Sequence, residues 1–327
     1  MGKVLSIIVP LYNSSKWLPK CLNSLLNQDI PAEAYEILLI NDGSPDDSKT
    51  IADEYAADHN NIRVFSKENG GTSSARNVGI RNAEGKYLYF VDPDDYILES
   101  SLNTILLIME EKDLDVLRFG YTEVDEQGIP TRSCKHPEQP DYSSKVMDGF
   151  SFMAERLGTA CFVWTYLFRT ALIQENQLYF DEKAYIDDTP WLPRVLALSQ
   201  RVDSIDMKRH FYTIRSGSLV RAGKEKADKI IDAQKWLINE LYLQMNQVGN
   251  KNAVGWYNKM IAHTALSLFS LVATSRYARN KEVTTWVKQQ NIMPFSSKGS
   301  AFRTRLKLHV INLSPSLFCT LIHRFNP

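Results

Sequence analysis

Residues Tyr87-Leu88-Tyr89-Phe90-Val91 form an unbroken apolar, aromatic and β-branched run that stops at Asp92-Pro93-Asp94-Asp95. Such a run, bounded by Gly85 and Pro93, predicts a strand covered on both faces and so restricts the chain to a layered core. Three carboxyl groups at its carboxyl end repel one another, and a fold keeps them together when something positive shares the site. Oxygen-only ligands suit a hard cation, Mg²⁺ or Mn²⁺, whose remaining ligands are usually substrate phosphates. The competing reading is a solvated turn that caps the next helix.

The sequence before this run alternates strand and helix. Residues 6–9 read as a strand, followed by Asn13-Ser14-Ser15 as N-cap residues of a helix with an apolar face of Leu18, Cys21, Leu22, Leu25 and Leu26. Residues 36–40 are the second strand, ending in Asn41-Asp42-Gly43-Ser44-Pro45-Asp46-Asp47 before a helix carrying Ile51, Ala52, Tyr55 and Ala56. Residues 62–65 make a third strand, and Gly70-Gly71 opens a helix through Arg76 and Asn77. This alternation predicts right-handed crossovers and a parallel sheet. Ligands of such sheets bind beyond the carboxyl ends of the strands, where strand order reverses. Pro10-Leu11-Tyr12-Asn13, Asp42-Gly43-Ser44 and the acid cluster would share that rim. There Tyr12 offers an aromatic face to a base, Asp42 an acceptor to a ring N–H, and Arg76 a planar fork to a carboxylate or phosphate. With a metal at Asp94 the set reads as base, ribose and diphosphate. Gly70-Gly71 belongs to neither a G-x-G-x-x-G nor a G-x-x-x-x-G-K-[ST] loop and is equally a plain turn.

Composition narrows the alternatives. The 327 residues, 44% hydrophobic, are enough for one large core or two smaller ones, and 38 basic against 38 acidic residues give no footprint for nucleic acid. Cys21, Cys134, Cys161 and Cys319 form no C-x-x-C pair, which argues against zinc and disulfides and fits a reducing compartment. The apolar start at residues 4–9 is too short for a signal peptide, and Met1 to Ser6 match the bare myristoylation pattern only by using Val4 and Leu5, which the first strand needs. The most apolar long segment, residues 260–273, is interrupted by His263, Thr264 and Ser267 and reads as a buried helix rather than a membrane span.

Past residue 100 a helix (101–111), a strand (116–121) and a turn at Asp125-Glu126-Gln127-Gly128 lead into a polar surface loop through residue 144, with Pro130, Pro137 and Pro140. Residues 162–169 read as a buried aromatic strand. Asp187-Asp188-Thr189-Pro190 then opens a helix carrying Leu192, Val195, Leu196 and Leu198, with Asp188 or Thr189 as N-cap.

Ile7-Ile8-Val9-Pro10-Leu11-Tyr12-Asn13, Asn41-Asp42-Gly43-Ser44-Pro45-Asp46, Asn69-Gly70-Gly71-Thr72-Ser73-Ser74-Ala75-Arg76-Asn77-Val78-Gly79 and Phe90-Val91-Asp92-Pro93-Asp94-Asp95, in that order, closely resemble the family-two inverting glycosyltransferases. The resemblance is dense over residues 4–96. It implies a GT-A type nucleotide-diphospho-sugar transferase fold: α/β, a mostly parallel sheet with flanking helices, plus a C-terminal helical region. It implies that Pro10, Tyr12, Asn13, Asp42 and Arg76 line the nucleotide pocket, that Asp92 faces the ribose or sugar, and that Asp94 holds Mn²⁺ or Mg²⁺ on the diphosphate. Trp164 and the Leu167-Phe168-Arg169 element resemble the family's acceptor side. Asp188 matches the catalytic base, Asp187 stands where the family usually has Glu, and Arg215 in Tyr212-Thr213-Ile214-Arg215-Ser216-Gly217-Ser218 would reach the diphosphate.

The implied domains are residues 1–218, with a nucleotide-sugar half (1–96) and an acceptor half (97–218), and a helical region at 219–327. The implied reaction is transfer from a nucleotide-diphospho-sugar, a UDP-sugar being favoured, to a glycan or lipid-linked sugar acceptor in surface polysaccharide, capsule or O-antigen synthesis. A sugar-phosphate nucleotidyltransferase would need a Gly-rich, Arg-containing loop where Tyr12-Asn13 stands. A processive synthase would need membrane spans and Gln-x-x-Arg-Trp. The non-enzymatic rival, a sugar-nucleotide-binding homologue, is disfavoured by Asp94 and Asp188 together. Beyond Glu282 there is no acid, while Lys288, Lys298, Arg303, Arg305, Lys307 and Arg324 are interleaved with Phe302, Leu306, Leu308, Ile311, Leu317, Phe318, Leu321 and Ile322. That tail suits a basic amphipathic helix on an anionic membrane surface, which would place a cytoplasmic protein at the inner face of the membrane. It equally suits a helix docked on the core.

Overall fold

A computed structural model describes residues 2–131, 145–215, 226–290, 292–298 and 302–325, leaving aside the side chains of Phe302 and Phe325. The first half runs β1 (Leu5–Leu11), α1 (Leu18–Leu26), β2 (Tyr35–Asn41), α2 (Ser48–Asp58), β3 (Ile62–Ser66), α3 (Thr72–Asn82) and β4 (Tyr87–Phe90). It continues through β5 (Tyr96–Ile97), α4 (Leu102–Glu111), β6 (Val116–Val124), α5 (Gly149–Glu155), β7 (Tyr166–Arg169), α6 (Thr170–Glu175), α7 (Asp188–Leu198) and β8 (Val202–Thr213). The eight strands form one sheet in the order β3-β2-β1-β4-β7-β6-β8-β5. β1 to β4 are mutually parallel, β6 and β8 pair parallel, and β7 and β5 run antiparallel to their neighbours.

The chain starts at β1, moves outward through β2 and β3, then returns to place β4 on the other side of β1. Strand order therefore reverses between β1 and β4, where a parallel sheet opens a crevice at its carboxyl end. Pro10 suits that position. It pairs with Ile40 of β2 in register, but its missing N–H falls on the β4 side, beyond the last β1–β4 pair at Ile8 and Phe90, so no ladder bond is lost. β1, β2 and β4 are buried along their whole length because helices cover both faces. α3 lies close against β1: a Cβ on Gly79 would stand 2.4 Å from Ile8 Cγ2, so only glycine lets this helix approach.

No strand was expected at β8 (Val202–Thr213), and local structure departs from the sequence-based expectation at three further places. α1 is not capped by Ser14 or Ser15. Its N-cap position is Trp17, without a side-chain cap bond, while the Ser14 carbonyl accepts the Trp17 and Leu18 N–H groups. The aromatic segment is strand only at Tyr166–Arg169. Val163–Thr165 is a 3₁₀ turn closed by the Thr165 backbone N–H and hydroxyl, both donating to the Phe162 carbonyl. α7 starts at Asp188 itself, and neither it nor Thr189 is the cap. Asp187 occupies the cap position in a helical conformation with no capping bond, leaving its carboxylate for other partners. Most of the expected loop at 129–144, and Ser216, Gly217 and Ser218, lie outside the described residues.

The chain divides into two compact units, Met1–Phe152 with Cys161–Arg215, and Met153–Ala160 with Ser216–Pro327. Residues 153–160, read from sequence as part of the acceptor half, fall in the second unit, where Trp256 Nε1 donates to the Gly158 carbonyl at 3.0 Å. That unit contains α8 (Ala227–Gln247), α9 (Lys251–Ser275), α10 (Asn280–Gln289), α11 (Phe302–Leu313) and α12 (Pro315–Phe325). α8 buries Ile231, Leu237, Ile238 and Leu241, and α9 buries Trp256, Tyr257, Leu268 and Phe269. Among the described residues no helix is long and apolar enough to cross a membrane. In the tail Leu308, Ile311 and Phe318 are buried, so these three, expected to face lipid, face protein instead.

Candidate active site

The site is built around Arg76. Asp42, at the end of β2, is buried and accepts the backbone N–H groups of Gly70 (2.9 Å) and Gly71 (2.7 Å) and the Lys67 ammonium (2.6 Å). Those bonds fix the turn into α3, where Gly71 takes φ +88°, a region glycine enters without strain. One turn on, Arg76 is 4% exposed, and its guanidinium meets three carboxylates. Nη1 donates to Asp187 (3.0 Å) and Asp188 (2.7 Å), and Nη2 to Asp92 (3.2 Å).

Two neighbours on α3 bring α7 to this arginine. The Asn77 amide donates to the Phe180 carbonyl at 2.9 Å and its oxygen accepts the Phe180 N–H at 2.8 Å, pinning the segment before α7 by both backbone groups. Ser73 Oγ donates to Asp187 at 2.8 Å. Beneath them Phe180 stacks on Trp191 at 4.3 Å, and Phe90 of β4 meets both rings edge-on. The start of α7 is thus tied to α3 by polar bonds and to β4 by aromatic packing.

Each acid after β4 has a different partner. Asp92 takes Arg76, Asp94 pairs with the Arg215 guanidinium, and Asp95 lies buried against His210 Nε2 (2.9 Å) and the Thr213 N–H (2.8 Å). His210 Nδ1 in turn lies 2.8 Å from the Tyr89 hydroxyl. Burial drives the His210 imidazole down to about 3 and the Asp95 carboxyl well above its usual range, with Asp94 and Asp92 adding to the latter. His210 thus links Tyr89 to Asp95 in one buried hydrogen-bonded chain, whose bond directions follow the imidazole tautomer. The three acids thus have separate partners: Arg76 for Asp92, Arg215 for Asp94, and His210 with the Thr213 N–H for Asp95.

Asp188 is about a fifth exposed at its side chain. Burial raises its carboxyl to about 8, with Asp187 and Asp92 pushing the same way and Arg76 pulling against them. One guanidinium among three carboxylates leaves the cluster short of positive charge, which favours uptake of a proton within it. Asp94 is raised as well, by burial and then by Asp92, against the pull of Arg215. Among the described residues no three His, Cys, Asp or Glu side chains stand together as a metal cage. Asp92 and Asp94 offer oxygen donors alone, which fit a hard divalent ion that draws its remaining ligands from phosphate and water.

The other residues singled out from sequence are distributed as follows. Tyr12 is 54% exposed on the loop leaving β1, next to Asn13, whose φ of +52° is left-handed. Asp42 spends both oxygens on the α3 turn, a role the sequence did not suggest. Trp164 is buried, in a stack with His210 (4.5 Å), Tyr212 (5.2 Å) and Phe162 (5.0 Å), so its faces are packed against protein. Sequence reasoning missed Ser73, Asn77, Lys67 and His210. The first two stood inside the Ser73-Ser74-Ala75-Arg76-Asn77 motif; nothing local marked the others.

The glycosyl transferase family 2 model matches residues 6–166. The uncharacterized glycosyltransferase EpsJ of Bacillus subtilis is 34% identical over 228 residues, covering 67% of this chain and 63% of EpsJ. Glycosyltransferase GlyG of Streptococcus pneumoniae serotype 4 is 30% identical over 229 residues, covering 68% of this chain and 74% of GlyG. The crystal structure of Staphylococcus aureus TarS 1–349 in complex with UDP-GlcNAc superimposes with a TM-score of 0.70 over 98% of this chain and 90% of that one, at 22% identity, a likeness of fold. The chain spans under two thirds of EpsJ, and its match to the poly(ribitol-phosphate) β-N-acetylglucosaminyltransferase TarS covers 35% of that protein.

Proposed function

Because the chain belongs to glycosyl transferase family 2, we propose that it moves a sugar from a nucleotide-diphospho-sugar, a UDP-sugar first among candidates, to a glycan hydroxyl with inversion, using Asp188 as base. The observation that carries this reading is the convergence on Arg76 of Asp92, from the end of β4, and Asp187 and Asp188, from the start of α7. One side chain joins the acids at the sheet crevice to a carboxylate of raised basicity. A base poised near neutral pH is what deprotonation of a sugar hydroxyl needs.

In this mechanism Tyr12 supplies an exposed ring for the base, and the crevice beside Pro10 receives the nucleotide. Asp94, with Asp92, would hold Mn²⁺ or Mg²⁺, which when bound supplies charge neutralisation to the departing diphosphate. Arg215 stands at Asp94 and adds positive charge at the same place. Asp188, once ionised, accepts the proton of the acceptor hydroxyl. The acceptor oxygen forms the new bond to the anomeric carbon as the carbon–oxygen bond to the diphosphate breaks, and the nucleotide leaves with the electron pair. Arg76 holds Asp188 in place and lowers the cost of its negative charge; Asp187, itself held by Ser73, holds Arg76. Support for the UDP donor is the fold shared with TarS, a structure of which holds UDP-GlcNAc. The test is turnover of a panel of nucleotide sugars, with the anomeric configuration of the product read by NMR. An inverted product supports the reading; a retained configuration refutes direct displacement.

A further inference from the structure

α11 and α12 each carry two apolar stripes. The inner one is covered: Leu308 and Ile311 of α11, and Phe318 and Cys319 of α12, are buried. Polar contacts lock this docking, with Asn312 bonded to both backbone groups of Phe295 at 2.8 Å and His323 stacked on Tyr277 at 4.2 Å. The outer stripe is not covered. Leu306 (57% exposed) and Leu313 (70%) are seven residues apart on α11, and Leu317 (49%) and Leu321 (38%) four apart on α12. Both spacings return a helix to the same face. A docked helix normally turns polar residues outward, yet these two short helices hold four of the eleven large apolar side chains exposed among the described residues. At 100° per residue Leu306 and Leu313 lie together, with Arg303 and Lys307 on one flank and Arg305 and His309 on the other, all exposed. Residues 283–327 contain six Lys and Arg and no Asp or Glu.

We propose that the outer face of α11 and α12 is a membrane-docking surface, seating on anionic lipid with its leucines at the acyl boundary and its arginines and lysine among the headgroups. The flanking charge decides between occupants. A second copy of this chain meeting the same stripe would set cation against cation, with no acid in the segment to relieve it, whereas anionic headgroups complement both flanks. This surface would bring the protein to acceptors carried on lipid, and it stands independently of the catalytic assignment.

The test uses the full chain and sedimentation with vesicles of phosphatidylcholine alone or mixed with phosphatidylglycerol. The wild type should bind the mixed vesicles, and salt should weaken the binding. Arg303→Gln/Arg305→Gln/Lys307→Gln should bind them roughly 100-fold more weakly. Leu306→Ser/Leu313→Ser/Leu317→Ser/Leu321→Ser should lose at least about tenfold. All these positions are exposed, so both variants should melt as the wild type does. Equal binding by wild type and either folded variant, or indifference of the wild type to anionic lipid, overturns the proposal. So does a wild-type dimer that the serine variant dissociates while neither binds vesicles, since the face would then belong to a second copy.

Discussion

Replacing Arg76 by glutamine removes the cation that Asp92, Asp187 and Asp188 share. Each contact near 3 Å is worth about 5 kcal/mol gross at an effective dielectric near 20, but desolvation of the four charged groups cancels most of the sum. What remains is the cost of leaving buried carboxylates without a counter-ion, ~3–5 kcal/mol. The cost should depend on pH in a defined sense. Asp188, already raised to about 8, rises further without Arg76. A carboxyl raised in the folded state supports folding below its unfolded value of about 4 and withdraws that support as pH rises through the folded value. The deficit of Arg76→Gln against wild type should therefore be small near pH 5 and largest near pH 9. Urea unfolding followed by tryptophan fluorescence reads this directly, since Trp191 packs under the cluster. An equal deficit at both pH values would show that shape, not charge, is what Arg76 contributes, and the electrostatic account of the site would fail.

Other outcomes follow from the same geometry. Asn77→Ala leaves the Phe180 N–H and carbonyl unpaired in a buried place, so it should cost ~2–4 kcal/mol in unfolding experiments and lower transfer by misplacing α7. The pH profile of kcat/KM should rise with pH and level off above about 8, because only ionised Asp188 is a base; a profile already flat from pH 5 would remove Asp188 from that role. Exhaustive chelation should abolish transfer and weaken UDP binding by calorimetry, and Asp94→Ala should do the same without unfolding the protein; a fully active chelated enzyme excludes the metal.

Most of the sheet was legible because its signals are local. Strand period, glycine turns and the apolar runs at β1, β2 and β4 each lie within a few residues. The switch point followed from strand alternation once β4 was read as buried. The convergence on Arg76 was not legible, because its partners Asp187 and Asp188 are 111 and 112 residues away and no pattern near either end names the other. Asp42 was seen as a ligand because its motif is exposed in sequence, while its bonds to Gly70 and Gly71 belong to tertiary structure. The aromatic segment misled for a different reason. Its composition suits a strand, but Thr165 closes a 3₁₀ turn through a bond to Phe162 that composition does not encode. In the tail the apolar residues were correctly found, yet burial divides them: Leu308 and Ile311 face protein, whereas Leu306 and Leu313 face out, a split visible only with the docking partner in place.

Asp188→Asn isolates the role proposed for Asp188 as the base. Asparagine keeps an oxygen able to accept the Arg76 N–H and is close in size, so the arginine and the fold around it should persist. What it loses is basicity. The account predicts that calorimetry will show donor nucleotide binding within a few-fold of wild type while transfer falls by about 10²–10⁴. Near-normal transfer by the variant, or loss of donor binding and thermal stability together with transfer, would contradict it.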